Sequence, residues 1–124
     1  MNRELKLTRK PIDEPSPRTG DSMGAVVTFH GVVRGTEGDK AIAAIDYEAN
    51  EGMALHQFDL IFDIIEERWP VGSVHLIHRL GVVPVNETSL WVEVVSQHRI
   101  EAFSACQFLI DEMKKKVPIW KRPK

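Results

Sequence analysis

The sequence predicts an α+β fold with a mostly antiparallel sheet and two main helices. Two stretches carry apolar residues at spacings of three and four, which is typical of one face of a helix. Four other stretches are rich in β-branched and aromatic residues, as strands are. The order is strand, strand, helix, strand, strand, helix, in which neighbouring strands can pair as hairpins within one sheet.

The strands are predicted in two pairs, before and after the first helix. A flexible loop from Arg34 to Lys40 joins the first pair, because its two glycines and polar residues do not suit a strand. Residues 81–87, which include Pro84, are predicted to connect the second pair. The four predicted strands cover residues 25–33, 42–49, 73–80 and 89–96.

The two helices are recognised by their apolar faces and by what stops them. The first is predicted to end at Pro70 and Gly72, and the second before Pro118, because a residue that precedes proline disfavours helical geometry. Both faces are expected to belong to the core rather than to a cofactor site. They consist of Leu55, Phe58, Ile61, Phe62, Ile65 and Trp69 in the first helix and of Phe103, Cys106, Leu109, Ile110 and Met113 in the second.

The chain has the size and composition of one globular domain. It has 124 residues, of which 43% are hydrophobic and 27% charged. Residues 1–23 are polar and rich in proline, so they are predicted to be an extended arm with a short strand near Leu5–Leu7 and a mobile tip. Residues 24–124 are predicted to form the domain itself.

Composition also limits what the protein binds and where it works. The formal charge of −2 argues against wholesale nucleic-acid binding. No apolar run approaches the roughly 18 residues that cross a bilayer, and the first residues lack the apolar segment of a secretory signal. Cys106 is the sole cysteine, which excludes an internal disulfide, and the cytoplasm is therefore the expected compartment.

Basic residues are concentrated near the end of a chain that is acidic overall. The lysines of Lys114–Lys116 suit the C-terminal end of a helix, where the helix dipole favours cations. Lys121 lies beyond Pro118 and beside Trp120, so this explanation does not extend to it. A lysine against apolar walls can act as a base or nucleophile, and near phosphate it stays a point charge.

Further basic residues indicate an anion site. His98 and Arg99 lie where the last strand gives way to the second helix, and backbone N–H groups at a helix N-terminus bind anions. A capping histidine beside a surface arginine is the alternative. Arg34 opens a glycine-containing loop and alone would be read as a solvated side chain. Together with Lys114 and Lys121, these residues predict a pocket for a phosphorylated or carboxylate ligand.

No metal centre or resident nucleophile is expected. His75 and His78 are three apart on a strand, so their side chains point to opposite faces and cannot chelate one metal. Cys106 falls on the apolar helix face and is expected in the core. The residues alone leave the reaction open, and a regulatory or small-molecule phosphate-binding protein is one alternative.

Five motifs in order resemble those of the MoaE family, the catalytic subunits of molybdopterin synthase. They run from residue 24 to about residue 122, which is nearly the whole predicted domain. Each motif alone would be weak, but five in register are specific. They are GAVVTFHGVVR at 24–34, YEA at 47–49 with MA at 53–54, HRLG at 78–81, HRIEAF at 98–103 and KKKVPIWK at 114–121.

The resemblance implies a fold of the α/β-hammerhead type and a sulfurtransferase activity. In that family a homodimer binds two copies of a small ubiquitin-like (MoaD-like) sulfur carrier, giving a heterotetramer. The carrier's thiocarboxylated C-terminus delivers sulfur to cyclic pyranopterin monophosphate (precursor Z), forming the molybdopterin dithiolene in molybdenum cofactor biosynthesis. The sulfur arrives on the partner, so no cofactor and no catalytic cysteine are implied.

The same motifs assign site residues by position. Lys114 and Lys121 match the family's two active-site lysines, which would activate the substrate and handle the acyl group or a covalent intermediate. The residues that match those holding the phosphate and pterin or lining the pocket, some contributed across the dimer, are Arg34, His98, Arg99, Phe29 and Met113.

One departure keeps a second function open. Pro123 stands where the family usually has an acidic residue, so any contact from that side chain would be missing. The alternative is a non-catalytic paralogue that binds the sulfur carrier or a phosphorylated ligand and has lost turnover with the C-terminal stretch that family members usually carry after this segment. Retention of Lys121 beside Trp120 argues against it, because a purely structural role does not require that lysine.

Overall fold

The computed structural model describes residues 1–15 and 20–124, which form two helices and nine strands. Helix α1 spans Glu51–Arg68 and helix α2 spans Arg99–Lys116. In chain order the strands are Asn2–Thr8 (β1), Ala25–Val32 (β2), Thr36–Glu37 (β3), Lys40–Ala41 (β4), Ala44–Ala49 (β5), Val71–Arg79 (β6), Gly81–Pro84 (β7), Thr88–Ser96 (β8) and Ile119–Pro123 (β9).

The strands of the described residues divide among three sheets. The main sheet has the order β1-β6-β8-β2, in which only the β1–β6 pair is parallel. A small antiparallel sheet has the order β7-β5-β9, and β3 and β4 form a separate two-stranded hairpin. The predicted α+β fold, with mostly antiparallel strands and two main helices, is confirmed.

Both helices pack on the face of the main sheet that carries Leu76, Val92 and Val94. Alternate residues of β8 reach this core because successive strand side chains point to opposite faces. Helix α1 begins where the side chain of Asn50 accepts the backbone N–H of Met53 at 3.2 Å. The buried helical residues are Ala54, Phe58, Ile61, Phe62, Ile65, Ala102, Ala105, Cys106, Leu109 and Met113.

Two residues assigned to the apolar helix faces are exposed instead. Leu55 is 39% exposed and Phe103 is 61% exposed, so their predicted place in the core is wrong. In each helix the alanine directly before the large residue takes the buried position. Ala54 precedes Phe58 by four residues and Ala102 precedes Cys106 by four, so each alanine continues the buried stripe and its neighbour turns outward.

Short strands appear where loops were predicted. The predicted flexible loop from Arg34 to Lys40 contains the turn of the β3–β4 hairpin, and the predicted connection at 81–87 begins with β7. The chain after Pro118 forms β9. These segments become strands through pairing with residues distant in sequence. β7 and β9 are the edges of the small sheet, where strands containing proline are tolerated.

The beginning of the chain belongs to the main sheet. The short strand predicted near Leu5–Leu7 extends over the whole of β1, which runs parallel to β6. The guanidinium of Arg3 lies 2.7 Å from a carboxylate oxygen of Asp63 and 2.9 Å from one of Glu66. Both acidic residues are on α1, so β1 is bound to the sheet by its backbone and to the helix by ion pairs.

The predicted division into an arm over 1–23 and a domain over 24–124 stays a prediction. Residues 16–19 of this arm, with one of its prolines, lie outside the described residues. Among the helices that the structure describes, none is long and apolar enough to cross a membrane.

A buried phenylalanine of α1 tests the assignment of the core. Phe62 is fully buried, whereas Leu60 on the same helix is 42% exposed. We expect Phe62→Ala to lower the free energy of unfolding by about 3–5 kcal/mol, because it removes an aromatic side chain and leaves a cavity. The matched variant Leu60→Ala should lose no more than about 0.5 kcal/mol. Equal losses in urea unfolding would contradict this assignment.

Candidate functional site

A cavity of about 470 Å³ lies where the main sheet, the small sheet and the C-terminal end of α2 meet. This volume is within the range of pockets that hold small organic ligands. Most of its wall is hydrophobic and comes from strands β2, β5 and β8 and from the last turns of α2. The apolar lining residues include Phe29, Val33, Ile45, Leu90, Ile110 and Met113.

Three cationic side chains line the same cavity and are exposed to solvent. Arg34 follows the end of β2, Lys114 is in the last turn of α2, and Lys121 is on β9. The Nζ atom of Lys121 lies 3.2 Å from Oε1 of Glu37. The mouth of the cavity is therefore positively charged, and one of its cations already has a carboxylate partner.

The chain reversal after α2 brings the two lysines together. The helix ends where the backbone N–H of Val117 bonds the carbonyl of Met113 at 3.0 Å. Pro118 has no N–H to continue the helical pattern, so the chain leaves it and returns along β5. In this antiparallel pairing Lys121 is directly opposite Tyr47. Residues directly opposite share one face of a sheet, which sets Lys121 on the cavity side with Tyr47.

The deeper wall of the cavity contains neutral polar groups. The hydroxyl of Tyr47 donates to Oγ of Ser89 at 3.3 Å, and Ser89 donates to the backbone carbonyl of Gly31 at 3.2 Å. A side chain at Gly31 would come within 3.2 Å of Cβ of Leu90, so glycine permits the close approach of β2 and β8 here. These bonds join the three strands around the cavity.

His78 completes the deeper wall. It is only 5% exposed, and its Nδ1 lies 2.8 Å from the backbone carbonyl oxygen of Arg79. Its ring meets that of Tyr47 edge to face, with centroids 5.2 Å apart. Burial lowers the pKa of His78, and the bond to the Arg79 carbonyl opposes this shift in part. The imidazole is therefore neutral near neutral pH.

His98 and Arg99 lie elsewhere on the same chain. They line a second cavity, with Gly24, Gln97, Ile100 and Glu101, at the N-terminal end of α2. His98 is the N-cap residue of α2, but its side chain makes no capping bond. Arg99 and Lys114 are fifteen residues apart on one helix, which separates them by roughly 22 Å along its axis. One chain therefore does not bring all five predicted anion-binding residues into one pocket.

Some of the residues that line the cavity were predicted from the sequence, but those of its neutral wall were not. Phe29, Arg34, Met113, Lys114 and Lys121 all line the cavity. The polar lining side chains that were not proposed for the site are those of Tyr47, His78, Ser89 and Glu37. Tyr47 and His78 fall within the YEA and HRLG motifs, so their motif positions could have indicated them. Ser89 and Glu37 reach the cavity only through strand pairing, which their local sequence does not indicate.

The single thiol does not reach the cavity wall. Cys106 is buried among the core residues of α2, and burial raises the pKa of its thiol to about 11. A thiolate at this position is scarce near neutral pH, so Cys106 is unsuited to nucleophilic chemistry. Within residues 1–15 and 20–124, no three His, Cys, Asp or Glu residues are placed to hold a metal ion together.

A family model, the sequences of known proteins and solved structures were compared with this chain, and they point to the same family. The family model described as MoaE protein matches residues 7–116. Molybdopterin synthase catalytic subunit 1 of Aedes aegypti is 41% identical over 103 residues, which are 82% of this chain and 66% of that protein. The crystal structure of molybdopterin synthase from Staphylococcus aureus is 31% identical and superposes with a TM-score of 0.89, covering 95% of this chain and 88% of that one.

A more distant structure shares the fold alone. It is a complex of subunits 1 and 2 of molybdopterin-converting factor from Helicobacter pylori, and it superposes with a TM-score of 0.76 at 20% identity. The match covers 96% of this chain and 83% of that chain.

The reactivity of Cys106 tests its assignment as a buried core residue. With a pKa of about 11, about one thiol in a thousand is ionised at pH 8 in the folded protein. We expect the thiol to react with Ellman's reagent at least about a hundredfold more slowly in the native protein than in urea. The native rate should rise with pH towards the pKa. Equal rates in both states would show an accessible, reactive thiol.

Proposed function

Because the chain belongs to the MoaE family, we propose that it is the catalytic subunit of a molybdopterin synthase. In this role it transfers sulfur from the thiocarboxylated C-terminus of a small ubiquitin-like carrier to cyclic pyranopterin monophosphate, and so forms the dithiolene. The observation that supports this proposal most directly is that Lys114 and Lys121, which lie on different elements, line one cavity together with Arg34. The cytoplasm is the proposed compartment, since the lone Cys106 is a free thiol.

The shape and charge of the cavity suit the two reactants. Its apolar walls match a planar heterocycle, and the cations at its mouth match a phosphate and a thiocarboxylate, both anionic. In the ion pair of Lys121 with Glu37 the side chains are 54% and 31% exposed, so an incoming anion can replace the carboxylate at low cost. No carboxylate lies within ion-pair distance of Lys114 in the described residues, which leaves its amine available to the acyl group.

The two lysines are given different roles on this basis. We assign Lys121, which already interacts with an anion, to substrate activation. We assign Lys114 to the acyl group of the carrier tail or to a covalent intermediate. No thiol of this chain is needed, because the carrier supplies the sulfur.

Substitution of Lys114 tests the proposal directly. With thiocarboxylated carrier and precursor Z, we expect Lys114→Ala to slow dithiolene formation by about a hundredfold or more, the scale of losing one catalytic group. Lys115→Ala is the matched control, since Lys115 is exposed on the same helical turn but does not line the cavity. Formation of the two-sulfur product is followed by mass spectrometry.

Two outcomes would separate this proposal from its alternative. Near-wild-type turnover by Lys114→Ala would remove this residue from the mechanism. Carrier docking by the wild-type protein without any product would favour the non-catalytic paralogue.

In a homodimer, residues that lie far apart on one chain can meet in one pocket. His98 and Arg99 sit at the opposite end of α2 from Lys114, so we propose that a second protomer supplies them to the pocket. Two large apolar side chains near them are exposed, Ile100 at 69% and Phe103 at 61%, and an interface between copies would cover them. The carrier is the second proposed partner, and two carriers on the homodimer would give a heterotetramer. The Helicobacter pylori structure of the same fold is likewise a complex of two subunits.

Mixing two inactive variants tests the shared pocket. We expect Arg99→Ala and Lys114→Ala to be weak separately and to regain roughly a quarter of wild-type activity when denatured together and refolded, because half of the random dimers have one intact pocket. If Arg99 served the pocket of its own chain, no mixed dimer would have an intact pocket. Recovery would then be absent. Each variant refolded alone is the control.

A further inference from the structure

His78 lines the cavity, but the proposed chemistry gives it no role. It lies on β6, on the core-facing side of the main sheet, opposite Leu90 of β8. With 5% of its surface exposed, it is the most deeply buried ionisable side chain of the cavity wall. Burying a polar ring at this position is costly unless its nitrogens find partners.

The hydrogen bond of Nδ1 fixes the tautomer of the ring. A backbone carbonyl oxygen can only accept, so the hydrogen between His78 and Arg79 must be on Nδ1. In a neutral imidazole the other nitrogen then carries a lone pair and no hydrogen. Nε2 makes no hydrogen bond within the described part of the chain, and it is the nitrogen left to meet a ligand.

The hydroxyl hydrogens of the other polar groups of the deep wall are already donated in hydrogen bonds. The hydroxyl hydrogen of Tyr47 goes to Ser89, and that of Ser89 goes to the Gly31 carbonyl. What remains at the deep end of the cavity is a set of acceptors. The mouth offers the opposite, since Arg34, Lys114 and Lys121 are donors only.

We propose that His78 is a specificity-determining residue whose Nε2 accepts a hydrogen bond from a ring N–H of the bound pterin. Reduced pterins carry several such N–H groups on the pyrimidinone ring and the nitrogen beside it, and none of these groups is charged. The ring edge therefore enters first and the phosphate stays among the cations at the mouth. The proposal rests on the proposed function for the identity of the substrate.

Two substitutions of His78 and one control test this role. His78→Phe keeps a ring against Tyr47 but removes the acceptor, and His78→Gln keeps an acceptor near the position of Nε2. We expect His78→Phe to raise the KM for precursor Z about three- to tenfold, the value of one neutral hydrogen bond, with kcat changed less than about twofold. His78→Gln should restore most of the affinity. The matched control is His75→Phe, three residues away on the opposite face of β6, where Nδ1 of His75 lies 3.2 Å from a carboxylate of Glu4.

The KM values decide between the possible roles. An unchanged KM in His78→Phe overturns the proposal, and so does an equal rise in His75→Phe. A fall in kcat with KM unchanged would also overturn it, because that pattern belongs to a group acting only in the transition state.

A binding measurement on the unaltered protein remains informative if a variant fails to fold. In protein labelled with ¹⁵N-histidine, we expect the Nε2 resonance of His78 to move towards that of a hydrogen-bonded nitrogen when a reduced pterin is added, while His75 stays unchanged. An unmoved His78 resonance at saturation overturns the proposal. This binding does not require turnover, so a failure of dithiolene formation alone would count against the proposed function and not against His78.

Discussion

The pairing of β9 with β5 is the contact on which the candidate site depends. Without it, the last residues would continue away from α2 and Lys121 would have no fixed relation to Lys114. The strand is bound by its backbone, by the N–H of Lys124 bonding the carbonyl of Ala44 at 2.8 Å, and by an ion pair of Arg122 with Glu48 at 3.3 Å. Most of this strand is exposed, so backbone bonds rather than burial hold it in place.

The cavity has neutral polar groups and charged groups at different depths. Neutral groups lie deep, where a charge would be expensive to bury, and cations lie at the mouth, where water still solvates them. In the proposed complex, the charged group of the ligand would therefore stay at the solvated mouth and would need no buried ion pair. This arrangement also agrees with the lowered pKa of His78, because at this depth no carboxylate of the described residues forms an ion pair with its ring to offset the desolvation.

Most of the fold could be predicted from local pattern, and much of the site could not. The buried stripe from Phe58 to Ile65 repeats at helical spacing, so α1 is evident from its own sequence. By contrast, β9 has no alternating pattern and becomes a strand only because β5 is beside it. The lysines were found because charge clustering and motif position both indicate them. Ser89 was missed because its role comes from a neighbour, Tyr47, that is distant in sequence.

Helix α2 has eighteen residues, with Arg99 of the proposed site at its first residue and Lys114 in its last turn. In the proposed dimer its first turn serves one reaction centre and its last turn serves the other. Each α2 helix then contributes to both reaction centres, and a bend in one helix would displace the bound ligands in both. Damage to α2 in a single subunit would therefore impair the whole assembly, and a defective copy could act dominantly over a sound one.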